Sequence, residues 1–163
     1  MVEAPRFDLK DMPPEAYRHL LQLEGLIAQH VDLTLYHLIK LRASQINGCA
    51  YCLHMHTDEA LRAGEKVERI TSLDGWHESP LYSGKERAAL AWVDELTLIA
   101  EKHASRDAFE ELKRHFSNEE IRWLILAAVQ INSWNRIAIS TRAQYDPAIY
   151  AHATPVQKAH EPA

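Results

Sequence analysis

Ser117-Asn-Glu-Glu-Ile-Arg-Trp-Leu-Ile-Leu-Ala-Ala-Val-Gln-Ile131 is the stretch that decides the fold class. Ser117 followed by Glu120 is a capping box, in which the hydroxyl takes a first-turn backbone N–H and the carboxylate reaches back to the cap. The segment after it, Trp123 to Ile131, is apolar nearly all round. A helix with no polar side belongs at the centre of a bundle or in a subunit interface. The pattern carries this helix over Asn118 to Thr141. Working outward, Ser83-Gly-Lys-Glu86 is a second capping box and opens a long helix toward His103. Asp107 to Phe116 reads as a short amphipathic helix. On the N-terminal side, Pro13-Pro14 opens a helix to about His30, because proline is tolerated in a first turn. Tyr17, Leu20, Leu21, Leu23, Ile27 and Ala28 mostly keep helical spacing there. Asp32 is the N-cap of a second helix that ends near Asn47-Gly48. A third starts at Asn47 or Gly48 and ends at Gly64, a natural residue to close a helix. Lys66 to Leu73 forms a short helix, and Asp74 to Pro80 a loop.

The chain holds only 5 glycines. It shows no sustained alternation of period two, and Ala, Leu, Glu, Lys and Arg, all good helix formers, are frequent. The expectation is an all-α, single-domain bundle of about six to eight helices. Residues 1–12 read as an extended leader, 13–146 as the helical domain and 147–163 as a C-terminal arm or tail. No tandem repeat or linker divides the chain.

The 163 residues are 47% hydrophobic and 25% charged, ordinary for a soluble globular domain. Lys plus Arg is 18 and Asp plus Glu is 23, a net charge of −5. This mildly acidic balance lacks the basic footprint of a nucleic-acid binder. It also lacks the lysine cluster that favours an anionic membrane surface. The longest apolar run, Trp123 to Val129, falls well short of the ~18 residues of a membrane span. Met1 to Lys10 has no apolar stretch of the kind a secretory signal carries. Two cysteines make no disulfide framework. The expected compartment is the reducing cytoplasm, where a cysteine pair more often means redox chemistry or metal than a structural cross-link.

The chemistry concentrates in Ala43-Ser-Gln-Ile-Asn-Gly-Cys-Ala-Tyr-Cys-Leu-His-Met-His56. Cys49 and Cys52 form a C-x-x-C, and His56 follows four residues later. At about 100° per residue these three positions fall within an arc of roughly 60° on one stripe of the third helix. His54 points elsewhere. The cysteines sit in the first turns, where unpaired N–H groups and the positive end of the dipole favour thiolate, the attacking species in thiol chemistry. His56 exchanges protons near neutral pH. Asn47 is a candidate cap, and Gly48 lets the backbone turn sharply into the helix. Blander readings stand beside this one: two small buried cysteines, and a histidine satisfied in the core. A structural zinc site would need His56 and His37 to complete its four ligands. Leu53 occupies the histidine place of C-x-x-C-H, which excludes covalent haem, and no βαβ context supports a thioredoxin fold.

The run Leu41-Arg-Ala-Ser-Gln-Ile-Asn-Gly-Cys-Ala-Tyr-Cys52, with His56, resembles the alkylhydroperoxidase D-like branch of the carboxymuconolactone decarboxylase family. The resemblance extends through Gly64. It resumes at Ser83 to Thr97 and at Ile131-Asn-Ser-Trp-Asn-Arg-Ile137, in the same order, over about half the chain. It implies an all-helical fold, self-assembly into a homo-oligomer, and a thiol-dependent peroxidase without a bound cofactor. It makes Cys52 the peroxidatic thiolate, Cys49 the resolving thiol and His56 the histidine of a proton relay. The relay's glutamate lies twelve residues before the first cysteine in the family, and here that place is His37. An imidazole also moves protons, so His37 is the candidate substitute. The implied partners are a hydroperoxide substrate and an external dithiol reductant.

Two other classes compete: a redox-responsive binding or scaffold module with little turnover, and a metal-binding helical bundle. Trp76, Trp92, Trp123 and Trp134 read as core or interface. Asn132, Trp134 and Asn135 read as side chains that bond backbone across an interface, with a pocket lining as the alternative. Asp94 and Glu95 supply the missing carboxylate only where their helix packs over the cysteines. The excess apolar circumference of the last helix points to an oligomer.

Overall fold

The computed structural model describes residues 3–146. Eight α-helices run through them: α1 Pro14–Ala28, α2 Leu33–Asn47, α3 Ala50–Arg62, α4 Val67–Thr71, α5 Gly84–Thr97, α6 Ile99–Lys102, α7 Arg106–His115 and α8 Asn118–Thr141. Short 3-10 turns lie at Leu9–Asp11 and Leu73–Gly75, and no strand occurs among the described residues. The all-α expectation holds. The arm expected at 147–163 lies outside the described residues. Three N-caps read from sequence close in the structure. Asp32 accepts the Leu35 N–H, and both capping boxes, Ser83–Glu86 and Ser117–Glu120, are complete.

The element at the centre is α2 rather than α8. Every residue from Leu35 to Ser44 is buried, and α2 packs on α3, α5 and α8. By contrast α8 exposes Leu126 and Val129. Hydrophobicity alone hid this, because α2 carries His37, Lys40 and Arg42 in its buried stretch. Each cation there is paired. Arg42 donates from Nε and Nη2 to the two oxygens of Asp94 on α5, at 2.7 and 3.1 Å, and from Nη1 to Asp74 at 2.7 Å. Buried charge is tolerable only when paired and hydrogen-bonded in this way. One apolar cluster joins Ile27, Tyr36, Ile39, Trp92, Leu124 and Ile131, and a second joins Leu38, Leu41, Leu73, Trp76 and Leu90.

Two expectations on local structure change. The long helix from Ser83 breaks at Leu98, and His103 and Ala104 then take left-handed backbone with φ of 59° and 53°. The chain turns back so that α7 can pack on α5, and Glu95 accepts the Ser105 N–H at 2.8 Å to hold the turn. The leader is not simply extended. Arg6 N–H donates to the Thr141 carbonyl at 2.8 Å, and Asp8 caps the turn at Leu9–Asp11. Residues 3–12 therefore run back along the end of α8, and Leu9 faces the cavity described next.

Candidate functional site

The turn between α2 and α3 builds the site. Gly48 closes α2 at φ 68°, in the left-handed region that glycine adopts without a Cβ penalty. Its N–H bonds the Gln45 carbonyl, and the Cys49 N–H bonds the Ser44 carbonyl at 3.0 Å. This paired closure satisfies the end of α2 and launches α3 at once. Asn47 is the last residue of α2, not the cap of α3. Its side-chain N–H₂ donates to Asn132 at 3.0 Å and to Asn135 at 2.8 Å, both on α8. Asn135 donates to Ser44 and Asn132 to Thr97, each at 3.0 Å. These amides are thus a side-chain lashing of α2 to α8 and α5 rather than backbone bonds across an interface, and Asn132 also lines a shallow pocket beside Leu96 and Ile99.

The cap of α3 is Cys49, whose sulfur accepts the Cys52 N–H at 3.3 Å. Cys49 therefore stands just outside the helix, and the expected three-residue stripe reduces to Cys52 and His56, one turn apart on one face. Cys49 and Cys52 are joined by a disulfide, and both are buried. Their places differ. Cys52 forms part of the wall of a cavity of about 260 Å³, whereas Cys49 is not among the residues of that wall.

The cavity has an apolar side and a polar side. Leu9, Leu21, Met55, Trp134 and Ile137 make the first, with Tyr17 edge-on to Trp134 at 5.5 Å. Glu24, Lys40, His56 and Glu59 make the second. His56 is buried, and its Nδ1 donates to Glu59 Oε2 at 2.8 Å. With the proton held there, Nε2 is the bare ring nitrogen, and it is buried without a partner. Burial pushes the His56 imidazole below its ordinary range, against the opposing pull of Glu59. Burial pushes the Glu59 carboxyl up, but the His56 hydrogen bond and the Lys40 ammonium outweigh it and hold the group at about 2. The ring is therefore neutral and the carboxylate ionised at neutral pH.

His37 stands elsewhere. It lies one turn before Lys40 on α2 and is buried with Nδ1 unpartnered, off the cavity wall and without a hydrogen bond to His56. Burial, then the Lys40 charge, lowers its pKa to about 4. The carboxylate in contact with His56 is Glu59, which the i, i+3 spacing on one helix brings beside it. Asp94 and Glu95 do not reach the cysteines, being engaged with Arg42 and Ser105. Glu24 and Lys40 left no local signal, because α1 and α2 meet the cavity only through the fold. Trp134, for which a pocket lining is the alternative to a core or interface place, forms part of the cavity wall and donates its N–H to Glu24 at 3.0 Å. No group of three or more His, Cys, Asp or Glu side chains among the described residues is arranged to hold a metal ion. None of the described helices is long and apolar enough to cross a membrane.

Residues 14–95 match the sequence profile of the carboxymuconolactone decarboxylase family. The chain is 38% identical over 136 residues to an uncharacterized protein, YdfG, of Bacillus subtilis, a match spanning 83% of this chain and 92% of that one. A crystal structure from Agrobacterium tumefaciens superposes with a TM-score of 0.85 at 44% identity, over 88% of this chain and 99% of the other. That protein is of unknown function, and a role in antioxidant defence as an AhpD has been suggested for it. An uncharacterized peroxidase-related protein from Silicibacter sp. TM1040 shares the fold, with a TM-score of 0.74 at 18% identity, over 83% and 73% of the two chains.

Proposed function

The chain belongs to the carboxymuconolactone decarboxylase family, and we propose that within it the protein works as a thiol-dependent hydroperoxide reductase in antioxidant defence. The observation that carries this reading is the cavity wall. It brings one sulfur of a vicinal pair, Cys52, together with a buried histidine whose free ring nitrogen has no partner. The suggested role of the Agrobacterium relative in antioxidant defence supports the same class.

In the reduced protein, Cys52 lies in the first turn of α3, where the helix end favours its thiolate. His56 Nε2 takes the thiol proton. The thiolate attacks the outer oxygen of the hydroperoxide, and the O–O bond breaks. The alkoxide that leaves takes the proton from the imidazolium, giving an alcohol and Cys52 sulfenic acid. Cys49 then attacks that sulfur, a water departs, and the disulfide forms. An external dithiol restores both thiols by exchange and is itself oxidised. Glu59 keeps the proton on Nδ1 throughout, so that Nε2 is the nitrogen that turns over.

No step needs His37, and the role of relay carboxylate goes to Glu59. The neutral ring, held so by burial, is ready to accept a proton at physiological pH. Self-association belongs to the same proposal. Leu126 and Val129 lie one turn apart on α8 beside Ile99, all exposed, and sedimentation velocity of a Val129→Glu variant tests whether that face pairs two copies. The reductase reading is tested by steady-state hydroperoxide consumption with a dithiol. Cys52→Ser should abolish it, and a variant as fast as the parent would sink the mechanism.

A further inference from the structure

Glu59 Oε2 is shared by two donors. It takes the His56 Nδ1–H at 2.8 Å, and the Lys40 ammonium lies 3.3 Å from the same oxygen. Lys40 is in turn 3.5 Å from Glu24 Oε1. Glu24 is held by two further donors: the Tyr36 hydroxyl, also of α2, donates to Oε1 at 2.6 Å, and the Trp134 N–H of α8 to Oε2 at 3.0 Å. Only 8% of the Lys40 side chain is exposed, and the ammonium also sits 4.4 Å from the centre of the Tyr36 ring. A surface pair of this kind would be screened and worth little, but here Lys40 and Glu24 are largely out of water and act on one another more strongly, while the half-exposed Glu59 is partly screened. All four polar groups of the chain of contacts, Glu24, Lys40, Glu59 and His56, are on the wall of the cavity that holds Cys52.

We propose that Lys40 and Glu24 are a positioning couple that acts on His56 through Glu59: the ammonium fixes the carboxylate on the imidazole, and Glu24 fixes and offsets the ammonium. This rests on the reading of His56 as proton acceptor, and neither residue belongs to the C-x-x-C segment. The charged groups around the ring come from three elements, and the titratable phenols of Tyr17, Tyr36 and Tyr51 and, once reduced, the Cys52 thiol share those same elements. Glu59 is on its own helix, Lys40 and His37 are on α2, and Glu24 is on α1. From α8 and the N-terminal segment the cavity receives only Trp134, Ile137, Ala138 and Leu9, none of them charged. A cation beside an imidazole disfavours the imidazolium and a carboxylate favours it. The two members of the couple thus push His56 in opposite directions, Lys40 down and Glu24 up.

The test reads this opposition. The imidazole C2 proton of His56, assigned with a His56→Gln variant, is titrated by NMR in the oxidised protein, where no turnover is required. The pH dependence of hydroperoxide-driven thiol loss is measured in parallel on the reduced protein. Lys40→Met should move the His56 midpoint and the acidic limb of the rate profile to higher pH. Glu24→Gln should move both to lower pH. The double variant, whose total charge equals that of the parent, should return toward the parental midpoint, and Lys40→Arg should stay near it. Single variants that leave the midpoint in place, or move it in the same direction, overturn the proposal. Where a single variant fails to fold, the double variant and Lys40→Arg decide: midpoints displaced as far from the parent as from each other count against the couple. A protein that consumes no hydroperoxide at any pH removes the reductase reading, while the NMR titration still judges the couple.

Discussion

His37 is buried away from the cavity wall, and its burial gives a sharp prediction. The residue is 6% exposed, its Nδ1 has no partner, and burial with the Lys40 charge lowers its pKa to about 4. In the unfolded chain the value returns to about 6.5. Above pH 6.5 neither state binds the proton, and His37 has no pH-dependent effect on stability. As pH falls below that, the unfolded chain takes the proton and the folded one does not, so stability declines until about pH 4. At pH 5 the difference in proton affinity amounts to a loss of about 2 kcal/mol. For a domain of this size that is about 4–8 °C in melting temperature. His37→Leu puts an apolar side chain of similar bulk in the same place. Thermal unfolding followed by circular dichroism at pH 8 and pH 5 should show a smaller acid loss in the variant, by that amount. Hydroperoxide consumption at pH 7 should stay within about twofold of the parent, whereas removal of a proton carrier costs about 10²–10⁴-fold. Equal acid losses in both proteins would refute the burial argument. A hundredfold drop in rate would make His37 part of the relay after all.

Glu59 should matter less than the ring it orients. His56→Ala is expected to slow the thiolate step by about 10²–10⁴-fold. The Glu59 side chain is 43% exposed, so solvent weakens its hold, and Glu59→Gln should cost only about tenfold, checked by stopped-flow thiol loss. Equal losses would mean that the carboxylate carries the proton itself. Stability should depend on Asp94 and hardly on Asp74, although both bind Arg42. The Asp94 side chain is 6% exposed, so Asp94→Ala leaves a buried guanidinium partly unpaired, at about 3–5 kcal/mol. The Asp74 side chain is 80% exposed, and Asp74→Ala should cost about 0–1 kcal/mol. Urea unfolding of the two variants separates these outcomes, and comparable losses would contradict the ranking.

Helix ends were the part of the fold most readable from sequence, because they rest on local chemistry. Asp32, Ser83 and Ser117 each bond a backbone N–H three residues on, and Gly48 and Gly64 take the left-handed backbone that closes a helix. The break at Leu98 was invisible, since no glycine or proline marks it and the cause is the docking of α7 on α5. The burial of α2 is hidden from the sequence for a related reason. Apolar periodicity cannot show that Lys40 and Arg42 will meet carboxylates from α1, α3, α5 and the turn at Leu73–Gly75, and α2 is buried only because they do. The site divides in the same way. Cys49, Cys52 and His56 announce themselves by spacing within one turn and helix. Glu59 was within reach of the same i, i+3 reasoning. Glu24 and Trp134 come to the cavity from helices about 110 residues apart in the chain, and no local pattern joins them.

The account depends on the two sulfurs passing between thiol and disulfide at the expense of a hydroperoxide. Intact mass and thiol titration of the fully reduced protein, before and after one equivalent of an organic hydroperoxide, measure this directly. The account predicts the loss of two hydrogens and of both thiols in the parent, and a sulfenic acid that persists at Cys52 in Cys49→Ser. A parent that keeps its mass and both thiols while the hydroperoxide remains unconsumed would contradict it.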